Sequence, residues 1–388
     1  MKRSIISAVA LFVCATLAAE NLDTICRRVA LEAPSLRAEA ARLDADRIQS
    51  DADNSLAGPE ADFDYKFAPT GEPNRWGVSV GQSFDWPGLY GARRKSNRLR
   101  AGAMRQLHEQ NVLDKALELK LAALSLAQAR ENHALMSEAA KNFEELHTYL
   151  QGAFDRGATT ILALRKSELQ LVAMRTALAD AEAAVVRAEA SLNAIQPGCL
   201  DSFRDIVAIT PSPLRPETVY AEAFDTAPLT GAKQGELDAA RNDISVARRS
   251  GLPSFKLSYA HDFEDGNHFN GFGISVALPS WQPKKTVDAA RARALAADFD
   301  MVDYTTVQRA RNHADYQEAS RLYARISDES KALEGDYPAL LKKAFDSGIL
   351  NIFDYITEYN AYLDILSAHK ALVARYAEIE ARLAKSIR

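Results

Sequence analysis

The sequence predicts a mixed α and β chain, mostly helical, built as a duplicated unit in which each copy carries a β-hairpin and a very long helix. Three observations predict it. Blocks of sequence recur in the same order at a nearly constant offset. Short segments alternate apolar and polar residues with the period of a strand. Long segments after them are dominated by Ala, Leu, Glu, Lys, Arg and Gln, which are good helix formers.

The repeat is legible residue by residue. Leu150-Gln151-Gly152-Ala153-Phe154-Asp155-Arg156-Gly157 matches Leu341-Lys342-Lys343-Ala344-Phe345-Asp346-Ser347-Gly348 at an offset of 191. The match runs on without a gap to Leu192 and Leu383. Leu43 to Arg47 matches Leu237 to Arg241, and Gly77-Val78-Ser79-Val80 matches Gly273-Ile274-Ser275-Val276. Similarity between Ala-rich helices explains one such block, but not three in order.

The chain opens on an export signal. Lys2 and Arg3 precede the apolar run Ile5 to Leu17, which is too short to span a bilayer, and small residues follow at Ala18. Val13 before Cys14 is not the small residue a lipoprotein signal requires, so no lipid anchor is expected. Past residue 20 no apolar run is long enough for a membrane helix. With 47% apolar and 26% charged residues the chain is not disordered, and a net charge of −5 gives no basic excess for nucleic acid. Three Cys are too few for a disulfide scaffold.

Each unit begins with a helical stretch, Leu22 to Asp53 and about Pro228 to Arg249. Two alternating segments follow. In the first unit they hold Phe63, Tyr65 and Phe67, then Trp76, Val78, Val80 and Phe84. In the second they hold Phe255, Leu257 and Tyr259, then Phe272, Ile274, Val276 and Leu278. The run His261 to His268 between them reads as a solvated loop in which a cation is the less favoured occupant. Leu89 to Asp155 contains no proline, and some 65 helical residues span roughly 100 Å. The second rod carries Pro338 near its end, where a kink is expected. Gly157 and Gly348 end the helices, and Thr160 and Asn351 cap the next ones.

Four strands cannot close a membrane barrel, yet each approaches the ~9–11 residues needed to cross one. Trp76, Trp86 and Trp281 lie in or beside these segments, as interfacial aromatics do. A soluble sandwich would also alternate in this way. The export signal and the separation of the hairpins by rods favour the membrane, with the strand edges closed by other copies of the chain.

The pattern resembles the TolC-type outer-membrane factors of efflux and type I secretion systems. The residues that carry the resemblance are Ala33-Pro34-Ser35-Leu36 with the Ala-rich stretch to Arg47, and Ala247-Arg248-Arg249-Ser250-Gly251-Leu252-Pro253 before a strand. Val276-Ala277-Leu278-Pro279, Phe154-x-x-Gly157 and Phe345-x-x-Gly348 complete it. The resemblance implies a homotrimer in outer-membrane lipid, with a membrane β-barrel of four strands from each of three chains and a long α-helical barrel. It implies a periplasmic adaptor and an inner-membrane pump as partners. The expected organisation is a signal peptide (1–18), a first repeat (19–195) with hairpin 60–86 and tip near 157, a mid-height segment (196–227), and a second repeat (228–388) with hairpin 253–279 and tip near 348.

The resemblance makes Phe154, Arg156, Gly157, Phe345, Ser347 and Gly348 the adaptor-docking tips. It makes Asp354, with Glu358 one turn on, a candidate gate of the periplasmic entrance. Ala163 stands at the position equivalent to Asp354 in the first repeat, so one acidic layer is expected. In that fold Cys26 and Cys199 fall at similar height, a candidate disulfide in an oxidising compartment. No catalytic constellation is present: the seven His are scattered without an i, i+4 pair, and neither a phosphate loop nor a nucleophile elbow occurs. The expected function is a passive exit duct without cofactor or resident metal. The alternative is a periplasmic or surface helical scaffold without a pore.

Overall fold

A computed structural model describes residues 22–69, 74–204, 206, 208–278 and 283–387. The segment 1–18 expected to be a signal peptide and Trp281 lie outside the described residues. The elements are α1 (22–32), α2 (Pro34–Asp53), β1 (Glu60–Lys66), β2 (Arg75–Phe84), α3 (Pro87–Asp155), α4 (Ile161–Ile195), α5 (Glu217–Asp225), α6 (Pro228–Ser250), β3 (Ser254–Glu264), β4 (Asn267–Ala277), α7 (Pro283–Ala332), α8 (Tyr337–Asp346) and α9 (Ile352–Ala384). A 3₁₀ turn, Leu200–Phe203, lies between α4 and α5. The elements group into two compact units, each drawing on both sequence repeats.

The unit of residues 37–110 and 226–308 holds the sheet. Its strands run in the order β1-β2-β3-β4, antiparallel throughout. Strands β2 and β3, far apart in sequence, form the central pair, which leaves β1 and β4 as open edges. One departure from the sequence reading concerns the run 261–268. It is not a loop: His261 belongs to β3, His268 to β4, and the turn is only Asp265-Gly266. Both turn residues have positive φ, 53° and 78°, the two-residue turn whose twist suits a hairpin.

The unit of residues 22–36, 111–225 and 309–388 is helical. Ala33 lies between α1 and α2, so the predicted helix Leu22 to Asp53 is two helices. Pro34 opens the second, where its missing N–H costs nothing. The second rod is also broken. α7 stops at Ala332, Gly335 turns at φ 124°, and Asp336 caps α8 by accepting the Ala339 N–H at 3.0 Å. Pro338 therefore sits in the first turn of a new helix instead of kinking an old one.

Three apolar clusters hold this unit. Leu22, Cys26, Val29 and Ala30 of α1 pack with Leu119, Leu126, Leu192, Cys199 and Phe203. Phe143, Leu146, Leu164, Leu341, Tyr355, Ile356 and Tyr359 form the second. Tyr220, Ala319, Ile326, Tyr376 and Ile379 form the third. The segment after α4 is fixed by Arg130. Its guanidinium donates to the carbonyls of Phe203, Arg204 and Ile206 at 3.3, 3.0 and 3.1 Å and to Glu189 at 3.2 Å.

Candidate functional site

The two helix-helix tips are built alike. At the first, the Gly157 N–H bonds to the Phe154 carbonyl and the Ala158 N–H to the Ala153 carbonyl, both at 2.8 Å. At the second, Gly348 bonds to Phe345 at 2.9 Å and Ile349 to Ala344 at 3.0 Å. This pair of bonds is the Schellman ending, which places its glycine in the left-handed region. Gly157 and Gly348 have φ of 70° and 74°. The next helix is capped at once. Thr160 Oγ1 accepts from the Ala163 N–H at 3.2 Å. Asn351 Oδ1 accepts from Phe353 and Asp354 at 2.9 and 3.0 Å.

Phe154 and Phe345 both turn partly inward onto the cluster around Phe143 and Tyr355. Phe345 lies 5.2 Å from the Tyr355 ring and 6.0 Å from the Tyr149 ring. Arg156, Gly157, Ser347 and Gly348 are exposed. Ser347 donates its hydroxyl to the Lys343 carbonyl at 2.8 Å. The exposed set therefore separates from the two phenylalanines, which anchor the tips from beneath. The sequence reading missed the apolar residues beside them: Ile349 is 80% exposed and Leu162 66%.

Beside the second tip lies a groove of about 220 Å³ lined by Asn142, Glu145, Tyr149, Lys342, Phe345 and Tyr355. Tyr355 is buried. Its hydroxyl donates to Asn142 Oδ1 at 3.1 Å and accepts from Asn142 Nδ2 at 3.0 Å. Burial pushes its phenol pKa up. Lys342 meets Glu145 at 3.0 Å, a hydrogen bond that holds the carboxylate below its usual range and the ammonium above its own.

Asp354 and Glu358 are both exposed on α9. Asp354 accepts from Asn351 Nδ2 at 2.5 Å, so its carboxylate closes the cap of its own helix. Glu358 accepts from the Tyr337 hydroxyl at 3.2 Å. One turn apart, the two acids have different partners.

On the sheet, directly paired residues share a face. Phe63, Val78 and His261 line up with Asn270, and Val80 and Tyr259 with Phe272. On the same face Tyr65, Trp76, Phe263 and His268 form the row nearest the turns. Trp76 stacks on Phe263 at 5.8 Å, and at the other end Trp86 meets Phe255 at 6.1 Å. The apolar face continues across all four strands and is uncovered: Phe63 is 68% exposed and Phe272 85%. The opposite face carries Gly77, Ser79, Gly81 and Ser258, and ion pairs from Lys256 to Glu60 at 2.7 Å and Arg75 to Glu264 at 2.6 Å.

Cys26 and Cys199 share one core cluster, yet both are free thiols in the structure. The candidate disulfide is not formed there. Cys199 Sγ instead donates to the Leu192 carbonyl at 3.5 Å. Burial raises both thiols, Cys26 to about 12, which suppresses the thiolate that disulfide exchange needs. Among the described residues no three His, Cys, Asp or Glu converge as a metal site.

No protein-family model and no curated protein matches the sequence. Solved structures do match. The outer membrane protein VceC of Vibrio cholerae superposes with a TM-score of 0.76 at 18% identity, over 94% of this chain and 95% of that one. The CmeC outer membrane channel of Campylobacter jejuni gives 0.72 at 16% identity, over 95% and 85%. The MtrE outer membrane channel of Neisseria gonorrhoeae, in its open state, gives 0.68 at 19% identity, over 94% and 88%. The chain has the fold of the outer-membrane channels. At these identities the likeness concerns the fold, and the duplicated, mostly helical architecture with its small antiparallel sheet belongs to it. No helix among the described residues is long and apolar enough to cross a membrane.

Proposed function

We propose that the chain is one protomer of a passive exit duct in the outer membrane, working in an efflux or secretion assembly. The observation that carries this reading is the sheet. It has one mainly aromatic and aliphatic face, with His261, His268 and Asn270 at its turn end, one mostly small or charged face, and two unpaired edges. In water such a face and such edges invite aggregation. In lipid they are stable once β1 of one copy pairs with β4 of the next, because every strand then finds a partner. Three copies supply twelve strands and leave a water-filled bore lined by the small and charged face. The fold likeness over nearly the whole chain supports the same reading.

In this reading Trp76 and Trp86 stand near the two membrane interfaces, since they mark opposite ends of the apolar face. The tips carry the contact with a periplasmic adaptor, and an inner-membrane pump supplies the energy. Arg156, Gly157, Ser347 and Gly348 form the accessible part of that contact, with Ile349 and Leu162 as apolar anchors. Asp354, repeated by symmetry, forms a ring of carboxylates at the entrance, a recognised selectivity device. Glu358 lies one turn behind it. Planar-bilayer recording on the purified detergent-extracted protein tests the proposal. Discrete conductance steps are expected, and a protein that neither inserts nor conducts would overturn it.

A further inference from the structure

The register of the second hairpin brings together two imidazoles that the sequence holds seven residues apart. His261 pairs with Asn270 and Phe263 with His268, so His261 and His268 are diagonal neighbours on one face. Their rings stack with centroids 5.3 Å apart, and His261 Nε2 lies 3.2 Å from His268 Nδ1. Two nitrogens that both bind one cation at roughly 2.0–2.1 Å and subtend about 100° at it are separated by about this distance. The two nitrogens share a hydrogen bond here, and its length is also the spacing of two ligands on one metal.

A second feature is independent of that spacing. His261 Nδ1 meets Asn270 Oδ1 at 2.8 Å. The Asn270 carbonyl oxygen also accepts the Tyr259 hydroxyl at 2.8 Å, which holds it in place. With Asn270 Oδ1 opposite, Nδ1 holds the proton and Nε2 presents its lone pair, which the His268 Nδ1–H meets in this structure. A hydrogen bond of this kind from the far nitrogen is what orients a metal-ligating histidine. The tight Asp265-Gly266 turn fixes the two strands close to the pair.

The geometry points to a cross-strand two-histidine site for a divalent transition metal at the turn end of β3 and β4, with His261 Nε2 and His268 Nδ1 as ligands, Asn270 and Tyr259 as the positioning residues, and water in the remaining positions. His268 takes the Nε2–H tautomer on binding, and its ring turns so that both lone pairs meet at the ion. Imidazole ligands select copper, nickel and zinc over calcium and magnesium. Only two side chains converge, in keeping with the lack of any three-residue cluster among the described residues. The pair lies at the turn end of the face that carries Phe63, Val78 and Phe272, so in the duct reading it meets water at the membrane edge and not in the bore, while the binding itself rests on the hairpin alone.

The test is titration calorimetry of untagged full-length protein in detergent with Zn²⁺, and electron paramagnetic resonance with Cu²⁺. Saturable binding of one ion per chain and nitrogen hyperfine structure from two imidazoles are expected, with no binding of Mg²⁺. His268→Gln alters an exposed position on an edge strand, so it keeps the sheet and removes binding. Asn270→Ala weakens affinity by roughly 10–100-fold, as loss of an orienting partner does. His369→Gln, remote in sequence on α9, changes nothing. Absence of saturable binding, or unchanged binding in the His261→Ala, His268→Gln double variant, would overturn the site.

Discussion

Gly348→Val perturbs the second tip at one torsion. Gly348 has φ of 74°, and a Cβ built there meets no atom within 4 Å. The cost therefore contains no steric clash with neighbours. It is the backbone penalty of about 1–2 kcal/mol for an L-residue in the left-handed region, increased by β-branching. Gly348→Asn is the matched control, because Asn tolerates that region far better. The penalty falls on the cap hydrogen bonds, in which Gly348 N–H bonds to Phe345 and Ile349 and Leu350 both bond to Ala344. Amide hydrogen exchange reads it directly. One to two kcal/mol corresponds to a loss of protection of roughly 5–30-fold. The Val variant should show this loss at residues 348–350, and the Asn variant should stay close to wild type. Export by the Val variant should fall while insertion into the outer membrane continues. Equal protection in the two variants would refute the argument that the tip depends on a left-handed glycine.

Three further outcomes are expected. Asp354→Asn should lower the cation preference of the pore and its block by multivalent cations in planar bilayers; unchanged selectivity in an intact channel would remove Asp354 from the lumen. Val80→Arg places a charge on the apolar face and should cost about 2–4 kcal/mol near the bilayer midplane. Ser79→Arg, on the other face beside Asp62, should be tolerated, so equal yields of assembled protein from the two variants would contradict the assignment of faces. Thiol reagents at mildly alkaline pH should leave the native protein unlabelled, because burial lifts the Cys26 thiol to about 12. Denaturation without reductant should then expose Cys26 and Cys199 as reactive thiols, whereas protection of both would show that they are bonded after all.

The parts of the fold that rest on local rules were legible in the sequence. Gly157 and Gly348 announce left-handed helix ends, and Thr160 and Asn351 announce caps. All four play these roles. Period-two alternation located all four strands. The Asp265-Gly266 hairpin signal was also present, but the polar run around it reads as a loop unless the dipeptide is weighed against it. The break in the second rod was masked because Pro338 draws attention while Gly335 and Asp336 make the turn. What no local rule could supply is register across distance. The pairing of β2 with β3 sets the continuous apolar face, and the pairing of β3 with β4 brings His261 onto His268. The partners chosen by Asp354 and Glu358, one inside its own cap and one on α8, follow from packing that spacing does not encode.

The central claim is that the sheet is a fragment of a barrel completed by identical copies in lipid. The most direct measurement is the number of chains per particle after detergent extraction, from light scattering corrected for bound detergent, together with projection images of the same particles. The account predicts a protein that requires detergent and forms a stable particle of three chains with threefold symmetry. A protein released from the membrane fraction without detergent, or a stable monomer or dimer in detergent, would contradict it.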